Sequence, residues 1–91
     1  METSVMLALH PGLVRTDSLE PDGEEQRCRF DHKDMLEPGQ VGQFRLWNEW
    51  STKGVIGDPT VASAEKGELF IEAAVDSISE LIEEFKAGRI G

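Results

Sequence analysis

Two histidines, one cysteine and two tryptophans carry most of the chemical possibilities in these 91 residues. The tryptophans stand together in the run Leu46-Trp47-Asn48-Glu49-Trp50. Two indoles this close supply large, rigid contact area beside a carboxylate, which suits a small-molecule pocket or an interface hot spot. Trp47, Glu49 and Trp50 are therefore the candidate ligand-binding group. The plainer role, filling the core of a chain with few other aromatics, is favoured over it. His32 lies in Asp31-His32-Lys33-Asp34, shortly after Cys28. Thiolate, imidazole and carboxylate are all metal donors, but their spacing here follows no zinc pattern, and a solvated polar loop is the favoured reading. His10 precedes Pro11-Gly12 and reads as a surface or capping residue. Nothing fixes a Ser/His/Asp relay, so no catalytic residue is assigned. The glycine-bearing segment from Gly54 to Gly67 precedes a helix, where free amides can hold an anion. It lacks both the P-loop spacing and Gly-x-Gly-x-x-Gly, so it is read as a structural connection.

The elements that must position these residues are uneven. Glu2 to Leu9 is rich in helix formers, with Thr3 or Ser4 as the expected cap. His10-Pro11-Gly12 should stop that helix, because proline disfavours helix in the residue before it. At about two turns such a helix is too short to stand alone. Residues 15–57 form a loop-rich middle, with turn signals at Pro21-Asp22-Gly23 and Pro38-Gly39. Within it, Val41 to Trp47 is expected to be a short strand, although its apolar positions do not alternate strictly. Residues 58–88 are expected to form a long helix opened by Asp58-Pro59 or Thr60. At 100° per residue, Phe70, Ile71, Ala74, Val75, Ile78, Leu81, Ile82 and Phe85 share one broad face, and six acidic residues share the other. Gly67 costs about 1 kcal/mol relative to Ala inside a helix. It is expected there to admit another backbone, and Gly88 to cap the C-terminus.

The expected class is α+β and helix-dominated, a single small domain over 1–91 with a short N-terminal helix, an irregular middle with one strand, and the long helix. Its apolar stripe exceeds what the rest of the chain can cover. Phe70, Ile71, Ala74, Ile78, Leu81, Ile82 and Phe85 are therefore the candidate interface of a homo-oligomer.

Composition narrows the partners. The chain holds 18 acidic against 9 basic residues, a net charge of −9, with no cluster of Lys and Arg to meet phosphates. Neither nucleic acid nor a membrane surface is an expected partner. Cys28 is the lone cysteine, so no intrachain disulfide forms, and no apolar run approaches the roughly 18 residues of a membrane span. With no signal-peptide pattern either, a cytoplasmic location is expected.

Two stretches resemble the creatininase family of metal-dependent amidohydrolases. The first is Glu2-Thr3-Ser4 followed by Val5 to Val14. The second is Gly54-Val55-Ile56-Gly57-Asp58-Pro59-Thr60, continuing to Gly67 and into the long helix. In that family the first motif usually reads His-Ala-Gly-x-x-Glu-Thr-Ser, and the present sequence starts just after the histidine's place. The resemblance covers Glu2 to Val14 and Thr52 to about Phe85. It implies a piece of a three-layer α/β/α sandwich, its C-terminal third, from a fold that is commonly hexameric. It implies that Glu2 matches a ligand of a divalent metal pair, while the family's Glu-x-His motif, following Asp and preceding His are not among these residues. No cofactor is then expected for the chain alone, and zinc or manganese only if association rebuilds the site. Three functions follow, in order of preference. The first is a self-associating, non-catalytic fragment. The second is a subunit of a split amidohydrolase, completed by a second chain, that acts on a C–N amide bond. The third is a small-molecule-binding module around Trp47 and Trp50.

Overall fold

The computed structural model describes residues 1–23, 29–31, 37 and 39–91. Three α-helices lie among them: α1 (Glu2–Leu9), α2 (Trp47–Trp50) and α3 (Ala64–Lys86). Short 3-10 turns at Pro11–Leu13, Thr16–Ser18 and Pro59–Val61 complete the regular structure. The chain divides into two compact units, Met1–Arg15 with Ala62–Gly91, and Thr16–Val61.

In the first unit, α1 packs on α3. Ser63 caps α3 from an extended backbone, its hydroxyl accepting the Lys66 amide at 3.2 Å. The helix thus begins six residues later than Asp58. Asp58 instead accepts the Thr60 amide at 2.9 Å, a local turn that stands outside the helix. The far end is a complete Schellman closure: Gly88 N–H donates to the Phe85 carbonyl and Arg89 N–H to that of Glu84, both at 3.0 Å. Gly88 takes φ +71°, a conformation that costs glycine little.

Gly67 is where the two helices meet. It is the buried residue of α3, and a Cβ built on it would overlap the Ser4 carbonyl and come within 2.9 Å of Ala8 Cβ. Ser4 is 2% exposed, and its hydroxyl accepts the Ser63 amide at 3.2 Å. Neither Ser4 nor Thr3 caps α1, whose N-cap position is Met1 with no side-chain bond. The hydroxyl expected to serve its own helix serves the start of the other one instead. α1 ends as expected, with the His10 amide bonded to the Met6 carbonyl at 2.8 Å before Pro11 turns the chain.

The second unit corrects the expected strand. Residues 41–46 carry no sheet pairing, and Trp47 opens α2. Among the described residues the β-type pairing is one isolated antiparallel bridge, Asp22 with Gly57. A strand needs a neighbouring edge as well as apolar residues. The Val41 amide does reach the Phe30 carbonyl at 3.1 Å, but among the described residues no ladder continues from it. Phe44 is 96% exposed, so the run buries no consistent face. The described structure is helix-dominated, without the β component.

Among the described residues no Val, Leu, Ile, Met, Phe or Trp is buried. The groups that are buried, Ser4, Asp31, Ser51, Pro59 and Gly67, are polar or small.

Candidate functional site

The densest polar constellation is built around Asp22. Its carboxylate accepts the Lys53 amide at 2.6 Å, the Ser51 hydroxyl at 2.8 Å and the Thr52 hydroxyl at 3.2 Å through Oδ2. Through Oδ1 it accepts the amide of its neighbour Gly23 at 2.8 Å. The Ser51 hydroxyl in turn accepts the Gly54 amide at 2.8 Å. Main-chain bonds between Asp22 and Gly57 close the other side at 3.1 and 2.8 Å, and Lys53 forms an ion pair with Glu20. So many donors favour the charged carboxylate: the Lys53 amide first and the Ser51 hydroxyl next hold its pKa down at about 2, against partial burial. Gly23 sits inside this clamp at φ +67°, where a Cβ would lie 3.0 Å from the Trp50 and Val55 carbonyl oxygens.

The arrangement is a loop clamp. Every described donor to the carboxylate is spent within the chain, which leaves Asp22 poorly placed to act as a base. In the sequence Pro21-Asp22-Gly23 marks only a turn. The signal for the clamp is a second polar run, Ser51-Thr52-Lys53-Gly54, able to supply the donors.

The tryptophan group lies on one short helix. Trp47 is exposed and Trp50 half-buried, with the Trp50 backbone facing Gly23. Glu49 uses its carboxylate locally, accepting the Leu46 amide at 2.8 Å and so capping α2. Part of the charge expected for a ligand is thereby committed to holding the helix. An open depression lies on α3, lined by Ser79, Glu80, Ile82, Glu83, Glu84 and Lys86. Side chains of a single helix cannot enclose a substrate.

Glu2 stands exposed in the first turn of α1, where a carboxylate also complements the helix dipole. His10 is exposed at the other end of that helix. Asp31 is buried, while Cys28 and His32 lie outside the described residues. Among the described residues Glu2 belongs to no group of three His, Cys, Asp or Glu side chains. The interface candidates are placed on α3: Phe70 and Ile71 are half-buried, and Ala74, Ile78, Leu81, Ile82 and Phe85 are exposed.

A family model, Creatininase (creatinine amidohydrolase), matches residues 1–82. The chain belongs to the creatininase family. The match extends the resemblance through the middle of the chain, so that the Asp22 clamp and the tryptophan helix fall within the family region together with most of α3. No curated protein and no solved structure matches the chain. Creatininase-family proteins are generally metal-dependent hydrolases. Among the described residues no three His, Cys, Asp or Glu side chains are grouped to hold a metal. A catalytic zinc takes about three protein ligands. Glu2 alone does not meet that need, so the described donors of one chain do not fit the family's metal.

Proposed function

We propose that this chain is a self-associating segment of the creatininase architecture, equivalent to the C-terminal portion of its three-layer sandwich, and that a single copy hydrolyses no amide. One observation carries the reading: from Glu72 to Glu83 every residue of α3 is exposed, including Val75, Ile78, Leu81 and Ile82. A contiguous apolar stripe of this kind marks an interaction surface. In the family architecture such a face would lie on a sheet. Here a second copy is the simplest cover.

The test is mass in solution, by light scattering after size exclusion, for the chain and for Ile78→Asp. The chain is expected to run as a dimer or larger, and the variant as a monomer, because a buried unpaired charge strongly disfavours association. A chain that stays monomeric at all concentrations would overturn the reading.

A second reading, a subunit of a split amidohydrolase, is favoured by Glu2, whose carboxylate makes no hydrogen bond or ion pair with any described residue. A companion chain carrying the remaining donors would draw on it. Zinc or manganese retained by the mixed chains, lost in Glu2→Ala, and absent from either chain alone would establish this reading over the first.

A further inference from the structure

The apolar stripe, half-buried at Ile71 and exposed from Ala74 onward, has a defined pattern. Ile71, Ala74, Ile78, Leu81 and Phe85 are spaced alternately three and four residues apart, the repeat of a two-helix seam. The repeat extends back to Gly67, but that position is already occupied by α1, which crosses there against Ser4 and Ala8. The open part of the seam therefore runs from Ile71 to the Schellman glycine Gly88, a helical length of about 27 Å.

We infer that α3 pairs antiparallel with α3 of a second copy, in the register that sets Phe85 against the partner's Ala74 and Ile78 against the partner's Leu81. This rests on the self-association proposed above and specifies its geometry. Three features select it. The first is size. In a parallel, in-register pair, Ala74 would face the partner's Ala74 and Phe85 the partner's Phe85, one layer hollow and one crowded. Interiors tolerate neither well. The antiparallel register puts the largest seam residue against the smallest, twice by symmetry. The second feature is length. In this register Ile71 faces the partner's Gly88, so each helix ends where the other's α1 crossing begins. The third is charge. On one flank Val75 lies opposite the partner's Ile82, and Arg89 opposite the partner's Glu68. On the other flank Ser77 lies opposite the partner's Glu84, so no like charges meet. Arg89 pairs with Glu84 of its own helix at 2.5 Å, but both groups are exposed, and such a pair is weak enough to be exchanged. A parallel pair would also offer Arg89 an acidic neighbour, so size and length decide the direction.

Ser79 and Lys86 make the test, because they lie seven residues apart on one side of the seam. In a Cys28→Ser background, a single cysteine at either position is spin-labelled and the label-to-label distance in the oligomer is measured. The antiparallel pair places Ser79 beside its two-fold axis. The Lys86 labels should then stand farther apart than the Ser79 labels by roughly 20 Å along the helix axis. Equal distances would overturn the inference while leaving self-association intact. Two long distances would place the contact elsewhere and also overturn it. A monomer at every concentration would overturn self-association itself. Independently, Ala74→Phe should weaken the dimer roughly tenfold or more by overfilling a layer. Adding Phe85→Ala should restore it, since the large and small residues merely change places. A double variant no tighter than Ala74→Phe alone would rule out this register.

Discussion

The Ser4–Gly67 crossing and the Asp22 clamp both tie together segments far apart in sequence, and they do it by opposite physics. At the crossing the attraction is close packing. Gly67 has no side chain, so the Ser4 main chain can lie directly on α3. A single neutral hydroxyl–amide bond, Ser4 to Ser63, adds direction. At the clamp the attraction is polar. One carboxylate gathers donors from Ser51, Thr52, Lys53 and Gly23. The first joint should be sensitive to volume and indifferent to pH. The second should be sensitive to charge and tolerant of small changes in shape, except at Gly23.

The sharpest way to break that contrast is Gly67→Ala. One methyl group must displace main chain, which cannot yield as a side chain does, and the loss should reach about 3 kcal/mol. Thermal unfolding with circular dichroism would show it, and α1 amides should lose protection from exchange. A melting temperature within a degree of the parent would mean the crossing is looser than the structure shows.

Next in effect is Asp22→Ala, which strands several donors at once. The amides of Lys53 and Gly57 should then exchange at rates near those of unstructured chain, while those of α3 stay unchanged. The same clamp predicts a pH dependence. Its carboxylate has a folded pKa of about 2, below the ordinary 3.8. The stabilisation it supplies is therefore complete above about pH 4 and is lost as pH falls through 2. The Asp22 carboxyl carbon shift, followed by NMR through this range, should give the low midpoint. A midpoint near 4 would show that the donors do not hold it.

Gly23→Ala should cost about 1–2 kcal/mol, since it meets both a positive φ and two carbonyl oxygens. Urea unfolding followed by tryptophan fluorescence reports it. The smallest effect belongs to Lys53→Met. Its ion pair with Glu20 joins two exposed side chains, so about 0.5 kcal/mol or less should be lost. A larger loss would show that the pair is part of the clamp and not an ornament on it.

The same contrast explains what was legible in the sequence. α3 could be read because its signals are local: a sustained helical period, Gly67 in its first turn and Gly88 at its end. The close approach at Gly67 could be anticipated, since a helix carries an interior glycine at a cost. Its start was misplaced because Asp58-Pro59 and Ser63 are both adequate caps, and only packing against Ser4 selects the second. The strand at 41–47 failed for want of a partner edge, which apolar residues alone do not guarantee. The clamp was least legible. Asp22 and its partners are 29 to 31 positions apart, and no periodicity links them. Of the candidate site, Glu49 could be located but its duty as a helix cap could not. Glu2 was chosen by resemblance, and its surroundings lay beyond what sequence pattern specifies.

The crossing at Gly67 also governs timing. α1 is too short to persist without its partner helix. The amide that its Ser4 receives lies 59 positions farther along the chain. At a synthesis rate of roughly 5–20 residues per second, α1 is synthesised some 3–12 seconds before Ser63 and Gly67. Throughout that interval Val5, Met6, Leu7 and Leu9 have no surface of their own to occupy. The Glu-Thr-Ser segment is translated before Gly67 and settles after it, its final position decided by a glycine that does not yet exist when it is made.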